Sequence, residues 1–97
     1  MVVVMTSVQL REGHVDAVRD LFASTNPGLV ADQDDWIAAK FTADRASDRV
    51  TVLAFWRNAA AYRDFAASDE FRVVMERFAS HFASPPEVVV HEILFEM

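Results

Sequence analysis

The sequence contains no cysteine, and its basic residues are few. Without cysteine, disulfide bonds, thiolate nucleophiles and zinc–thiolate sites are all excluded. Nine lysines and arginines stand against fifteen aspartates and glutamates, and the net charge is −6. Because nucleic acids and anionic membrane surfaces bind cationic protein faces, we expect neither as a partner.

The amino-terminal end also lacks the features of a signal peptide or a membrane span. The first ten residues, MVVVMTSVQL, are apolar but few, carry no preceding basic segment and alternate as a strand does. A secretory signal would need a basic start, and a membrane span would need a longer apolar run. We therefore expect a cytoplasmic protein.

Apolar and aromatic side chains, by contrast, are abundant. Hydrophobic residues make up 53% of the 97 residues, and they include eight phenylalanines and two tryptophans. A chain of this length is expected to form one domain, residues 1–97, that buries only about two-thirds of its unfolded surface. The aromatic surface either fills a bulky core or lines a pocket or a subunit interface.

The hydrophobic pattern predicts four strands and two helices in the order β-α-β-β-α-β. Alternating residues predict strands at 2–10, 36–42, 49–56 and 87–97. Helical spacing predicts a first helix at 14–24, ended by the turn at 25–28, and a second helix from 59 to the proline pair at 85–86. This order is that of a ferredoxin-like α+β fold, an antiparallel four-stranded sheet with both helices on one face.

Two polar side chains are predicted to begin segments of the second helix. Asn58 precedes its first residues, and Ser68, followed by Asp69 and Glu70, is typical of a second helix start. We therefore predict a break in this helix near residues 67–68. Beyond the break, an apolar stripe is formed by Phe71, Val74, Met75, Phe78 and Phe82.

The strand at 49–56 is apolar on both faces. Its residues are Val50, Val52, Ala54 and Trp56 on one side and Leu53 and Phe55 on the other. Two helices cover only one face of a sheet, so the other face would leave a large apolar patch exposed. We therefore predict a homodimer in which the two sheets pack face to face and bury about 1,000 Å² or more per subunit.

Five short motifs resemble those of the antibiotic biosynthesis monooxygenase family. They are PG at 27–28, WIAA at 36–39, VLAFW at 52–56, AAAY at 59–62 and SDEF at 68–71. The resemblance covers nearly the whole chain. It implies a dimeric α+β barrel built from two sheets, with a cavity in each subunit between the sheet and the helices.

The same resemblance implies a function. Members of the family oxidise aromatic polyketides such as anthrones without a cofactor, while others degrade haem, oxidise quinols or have no known reaction. It therefore implies a small cofactor-independent monooxygenase, or a related tailoring enzyme, for an aromatic, polyketide-like secondary metabolite, with molecular oxygen as co-substrate. The alternative is a non-catalytic, dimeric ligand-binding or accessory protein of the same fold.

The match to the quinone-forming oxygenases of this family is partial. Trp56 and Tyr62 fall on their tryptophan and tyrosine, whereas Val52 stands at their asparagine. Their helix arginine has no clear equivalent, and Met75 is the candidate for its position, with Arg72 and Arg77 nearby. The resemblance therefore implies the frame of this site without all of its polar contacts.

The match to the haem-degrading branch lacks the groups that bind haem. Thr6, Phe65 and Val74 stand where that branch has an asparagine, a tryptophan and an axial histidine. The resemblance thus offers no ligand for haem iron. Three scattered histidines do not make a metal site either, so we expect no cofactor and no metal ion.

Three residues are candidates for catalysis. Trp56 either orients a flat substrate by stacking and donates a hydrogen bond, or closes the core between sheet and helix. Tyr62 is either a proton donor in the cavity or a half-buried tyrosine with its hydroxyl in water. His91 is a base near neutral pH if its strand face meets the helices, and an interface histidine if that face meets a partner subunit.

The remaining candidates are expected to bind the substrate. They are Thr6, Trp36, Val52, Phe65, Met75 and Phe78. Of these, Trp36 either forms a cavity wall or covers the dimer seam, and Phe78 belongs to a stripe that serves the core first and the cavity wall second. His14 and His81 fall near helix ends on polar faces, where we expect both to be solvated.

Overall fold

The computed structural model describes all 97 residues and contains one antiparallel sheet of four strands. The strands are β1 (Val2–Gln9), β2 (Trp36–Asp44), β3 (Arg49–Trp56) and β4 (Glu87–Glu92), in the spatial order β2-β3-β1-β4. Strand β1 pairs with β3 from Val2 opposite Trp56 to Gln9 opposite Arg49. The predicted ferredoxin-like arrangement is confirmed.

Three helices cover one face of this sheet. They are α1 (Val15–Val30), α2 (Ala59–Ala66) and α3 (Asp69–Phe78), and a 3₁₀ turn, Ala79–His81, follows α3. The Asn58 side chain accepts a hydrogen bond from the Ala61 backbone N–H at 2.8 Å, and Ser68 Oγ accepts one from the Phe71 N–H at 3.2 Å. Both predicted caps and the predicted break between α2 and α3 are confirmed.

Helix α1 continues to Val30 and has Pro27 inside it, so the predicted stop at residues 25–28 is wrong. An internal proline removes one backbone hydrogen bond and costs about 3 kcal/mol. The turn before it is held by the Thr25 hydroxyl, which donates to the Leu21 carbonyl at 2.7 Å. The turn after it packs Leu29 and Val30 against buried residues of the core. This tertiary burial outweighs the local signal to end the helix.

Helix α3 ends at Phe78, well before the prolines that were predicted to end it. Phe82, predicted on the helical stripe, has extended backbone with φ −87° and ψ 135° and forms a bridge with Leu10. The Ala83 N–H donates to the Gln9 carbonyl at 2.8 Å. Pairing with the end of β1 therefore replaces the last helical turns.

Strand β4 ends at Glu92 and does not continue to residue 97 as predicted. Val2 lies opposite Glu92, and the Ile93 N–H donates to the Met1 carbonyl at 3.0 Å. Residues 94–97 form no strand, and Leu94 and Phe95 are exposed.

The core consists of two clusters. The first contains Val8, Leu10, Val15, Val18, Val50 and Phe78, and we call it the aliphatic cluster because all members but Phe78 are aliphatic. The aromatic cluster contains Val2, Val4, Trp56 and Phe65. Alternate residues of β1 reach both, because a strand presents every second side chain to the same face. The inward face predicted for the first strand, with Val2, Val4, Val8 and Leu10 buried, is therefore observed.

The opposite face of the sheet is open, and part of it is apolar. Val3, Met5, Leu53, Phe55 and Val89 alternate with the inward residues, and we call them the outer face. Val89 is 45% exposed, and the other four are half-buried. No helix of the chain is long and apolar enough to cross a membrane.

Candidate functional site

A cavity of about 790 Å³ lies between the sheet and the helices. On β1 its wall includes Thr6, which lies between Val4 of the aromatic cluster and Val8 of the aliphatic cluster. Most of the lining side chains are hydrophobic. A volume of this size lies within the range of small-molecule sites, which are mostly apolar with a few polar groups.

The floor of the cavity is a row of side chains that crosses all four strands. Thr6 lies opposite Val52 on β3 and opposite Val88 on β4, and Val52 in turn lies opposite Phe41 on β2. All four side chains line the cavity. Strand register thus sets the floor, and Thr6 is its only polar member.

The predicted binding residues all line this cavity. They are Thr6, Trp36, Val52, Phe65, Met75 and Phe78, and the candidates Trp56 and Tyr62 lie in the same wall. The structure therefore brings together every predicted site residue except His91. Their roles in binding or catalysis stay predictions.

An aromatic group forms one end of the cavity. Trp56 ends β3, and α2 starts after the Asn58 cap, so Tyr62 and Phe65 come to lie beside the indole ring. The ring centroids of Trp56 and Phe65 are 5.1 Å apart, and those of Trp56 and Tyr62 are 6.0 Å apart in an edge-to-face arrangement. Such pairs hold each other in place beyond the burial of their area alone.

Polar atoms in this wall have no partner within the protein. No hydrogen bond of the chain uses the Trp56 indole N–H, the Tyr62 hydroxyl or the Thr6 hydroxyl, and yet no fully buried side-chain polar atom is left without a partner. These atoms therefore reach the free volume of the cavity or solvent. Each can make a hydrogen bond to a bound molecule.

Burial raises the pKa of the Tyr62 hydroxyl above its ordinary value of 10.0. The cause is desolvation, which penalises the charged phenolate. At neutral pH Tyr62 is consequently a neutral phenol. It donates a hydrogen bond readily, and it does not act as a base.

His91 lies outside the cavity, although the sequence left its face open. It pairs with Val3 on β1, while the neighbouring Val90 pairs with the inward residue Val4. The side chain lies on the same side of the sheet as the outer face and is exposed. The interpretation of His91 as a base inside the cavity therefore has no geometric basis.

His14 and His81 form a pair, so the prediction that both are solvated is wrong. Their Nδ1 atoms are 2.9 Å apart and their ring centroids 5.2 Å apart. The Arg11 N–H donates to the His81 carbonyl at 2.9 Å, which holds the start of α1 beside the 3₁₀ turn. Neither ring lines the cavity.

Sequence reasoning missed the part of the wall that α1 supplies. Asn26, Pro27 and Val30 line the cavity, but they were predicted to lie in or beyond a turn that ends the helix. The spacing of Val18, Phe22, Asn26 and Val30, four residues apart, is the signal that could have found them.

The outer rim of the cavity carries an ion pair that was not predicted. Arg72 Nη1 and Glu76 Oε1 of α3 are 2.8 Å apart, and both side chains are mostly exposed. An exposed pair of this kind contributes little to stability. No group of three or more side chains that could hold a metal ion is present.

Comparison with known proteins gives a family and a set of similar folds. Residues 1–77 match the model of the antibiotic biosynthesis monooxygenase family. No curated protein matches the sequence significantly. Solved structures of similar fold include several proteins that are assigned to the same family.

Two of these structures illustrate the similarity. One is a protein from Bordetella bronchiseptica that is assigned to the antibiotic biosynthesis monooxygenases. Its fold matches with a TM-score of 0.83 at 19% identity, and the match covers 97% of each chain. SnoaB from Streptomyces nogalater, described as a cofactor-independent oxygenase, has a TM-score of 0.82 and 16% identity. That match covers 99% of this chain and 95% of SnoaB. At these identities the structures show a shared fold.

Proposed function

The chain belongs to the antibiotic biosynthesis monooxygenase family, as its motifs predicted, and from this premise we propose that it is a cofactor-independent monooxygenase or a related tailoring enzyme. Its substrate is an aromatic, polyketide-like secondary metabolite. One observation carries the proposal, the apolar cavity of about 790 Å³ whose lining includes Trp56 and Tyr62. SnoaB, of similar fold, is described as a cofactor-independent oxygenase.

The proposed reaction converts a methylene group between aromatic rings into a carbonyl. Dioxygen supplies one oxygen atom to the carbonyl and the other to water, and the substrate supplies all four electrons. The methylene loses two hydrogens, which leave in that water molecule. No cofactor is needed for this balance, because the substrate carbanion is itself the electron donor.

The protein would favour this reaction by stabilising charge on the substrate oxygen. When the substrate loses its first proton, negative charge spreads to its phenolic or keto oxygen. The ring centroids of Tyr62 and Trp56 are 6.0 Å apart and both residues line the same cavity, so the proposal gives the Tyr62 hydroxyl and the Trp56 indole N–H the role of donors to this oxygen. Donors fixed in an apolar site stabilise developing charge more strongly than water does.

Oxygen consumption with anthrone, without added metal or flavin, tests the proposal. We expect anthraquinone as the product, and we expect Trp56→Phe to lower kcat/KM about ten-fold through loss of one donor. His91→Ala, on the outer face, is expected to leave the rate unchanged. No turnover of anthrone or its hydroxylated analogues by the folded protein would contradict an oxygenase.

We also propose that the protein is a homodimer in which the outer faces meet. The support is the open apolar face itself, since Val3, Met5, Leu53 and Phe55 would otherwise stay half-exposed. Contiguous patches of this kind mark protein interfaces. Size-exclusion chromatography with light scattering is expected to give a dimer, and a monomer at micromolar concentration would contradict the proposal.

A second candidate function is a non-catalytic module that binds an aromatic ligand. One observation favours it: the only carboxylate in the wall, Glu76, is exposed and paired with Arg72 at 2.8 Å. No free base therefore faces the cavity to take the first proton. Native mass spectrometry of the purified protein separates the two functions, since a retained ligand without any oxygen consumption would favour the module.

A further inference from the structure

Asn26 is the one polar side chain in the stripe of α1 that lines the cavity. The other members are Val18, Phe22 and Val30, each four residues from the next. Residues at this spacing share one face of a helix. Asn26 is half-buried in this wall, so its carboxamide loses part of its contact with water unless another partner replaces it. Apolar packing alone therefore does not explain an asparagine at this position.

The orientation of the Asn26 amide is set by its neighbour. Thr25 Oγ1 donates its only proton to the Leu21 carbonyl at 2.7 Å, so this oxygen can only accept a second bond. Asn26 Nδ2 is its donor, at 3.2 Å. The amide nitrogen is consequently engaged, and the oxygen Oδ1 makes no hydrogen bond within the chain. An amide oxygen has two lone pairs and acts only as an acceptor.

A role in ending the helix does not explain Asn26. Asparagine commonly caps helices, but α1 continues past it to Val30. The Asn26 side chain also makes no hydrogen bond to the backbone carbonyls beside Pro27, because its one hydrogen bond goes to Thr25. The Oδ1 atom of Asn26 is therefore a free hydrogen-bond acceptor on a residue of the cavity wall, and no role in the helix accounts for it.

We propose that Asn26 determines ligand specificity by accepting a hydrogen bond from a hydroxyl group of the aromatic ligand. This assignment rests on the proposed function, since it requires an aromatic molecule in the cavity. Tyr62 and Trp56 offer donors from the aromatic end, and Asn26 offers an acceptor from α1. A ligand that carries an acceptor and a hydroxyl group satisfies both walls. Thr25 is the positioning residue, because it holds the amide nitrogen.

Two probes of equal shape test the assignment by equilibrium dialysis. The first, 2-naphthol, carries a hydroxyl group, and the second, 2-methylnaphthalene, has a methyl group in its place. We expect Asn26→Ala to weaken binding of 2-naphthol about five-fold, the effect of one lost hydrogen bond, and to change binding of 2-methylnaphthalene less than about two-fold. Asn26→Asp, which keeps an acceptor oxygen, is expected to retain the preference for 2-naphthol.

Thr25→Val tests whether Thr25 positions the Asn26 amide. Its side chain has nearly the same shape but cannot accept from the amide, so we expect a smaller loss for 2-naphthol only, about two-fold. Equal weakening of both probes in Asn26→Ala, or no weakening of either, would overturn the assignment while leaving the proposed function intact. Failure of the wild-type protein to bind either probe would overturn both.

Discussion

The aliphatic and aromatic clusters lie under the same sheet, yet they differ in their chemistry. Val50 and Trp56, at opposite ends of β3, are each 1% exposed. The aliphatic cluster has no polar side chain, whereas the aromatic cluster contains the Trp56 indole N–H and adjoins the Tyr62 hydroxyl. Similar burial therefore goes with a wholly apolar surface in one cluster and with two hydrogen-bond donors in or beside the other.

The cavity keeps the two clusters apart. Protein interiors are normally close-packed, so a gap of this size forfeits contacts that would stabilise the chain. Thr6 and Val52 form its floor where a continuous core would need larger side chains. Substitutions in the aliphatic cluster should therefore lower stability, whereas substitutions in the floor of the cavity should change ligand binding.

The largest effect is expected in the aliphatic cluster. Phe78 is 3% exposed on α3, and Phe78→Ala should lower the free energy of unfolding by about 3–5 kcal/mol through lost burial and a new cavity. Urea unfolding followed by circular dichroism measures this. Val73→Ala, on the same helix but 51% exposed, is the control and should change stability by less than about 0.5 kcal/mol. Similar losses in both variants would show that the comparison is wrong.

A smaller effect of opposite sign is expected between the clusters. Val52→Phe fills the floor of the cavity and should raise the free energy of unfolding by about 1 kcal/mol. It should also weaken binding of naphthalene probes at least about ten-fold, because the ring occupies their volume. Val73→Phe, which adds the same ring at an exposed position of α3 outside the cavity wall, is the control for dialysis. Undiminished probe binding in Val52→Phe would mean that ligands bind elsewhere.

The smallest effect concerns the hydroxyl group beside the aromatic cluster. Because the folded pKa of Tyr62 lies above its ordinary value of 10.0, the folded state holds this proton more tightly than the unfolded state does. The stabilising contribution is fully present below the unfolded pKa and is lost as pH rises through the folded pKa. Urea unfolding from pH about 8 to about 11 should show a decline that Tyr62→Phe reduces.

The titration of Tyr62 can be followed directly. It is the only tyrosine of the chain, so near-ultraviolet absorbance of tyrosinate reports this side chain alone. We expect its midpoint above the ordinary value of 10.0 in the folded protein. A midpoint at or below that value would mean that burial in the folded protein does not desolvate the hydroxyl.

Local sequence signals predicted the helices and strands. The end of α1 and the contacts between distant residues depend on packing, which local signals do not contain. The caps at Asn58 and Ser68 could be predicted because each acts on backbone groups only three residues away. The end of α1 could not, since burial of Val30 against residues of the aromatic cluster overrides Pro27. The contact between His14 and His81 joins residues far apart in the chain, which no local pattern encodes.

The candidate site likewise has residues that could be predicted from the sequence and residues that could not. The cavity-lining positions of β3 and α2 could be predicted because the resemblance fixed them relative to the strand that ends at Trp56 and to the helix after it. The face of His91 could not, because β4 is partly apolar on both sides and alternation alone does not say which side meets the helices. Asn26 was hidden by a turn signature that the folded chain does not use.

The central position of β1 has a consequence for how fast the chain can fold. This strand pairs with β3 on one side and with β4 on the other, and both partners lie far along the sequence. Each pairing must close a long loop before its contacts repay the lost chain entropy. Folding is therefore expected to be slower than in a helical bundle of similar length, and the edges of β1 stay open to mispairing until the segment Glu87–Glu92 arrives.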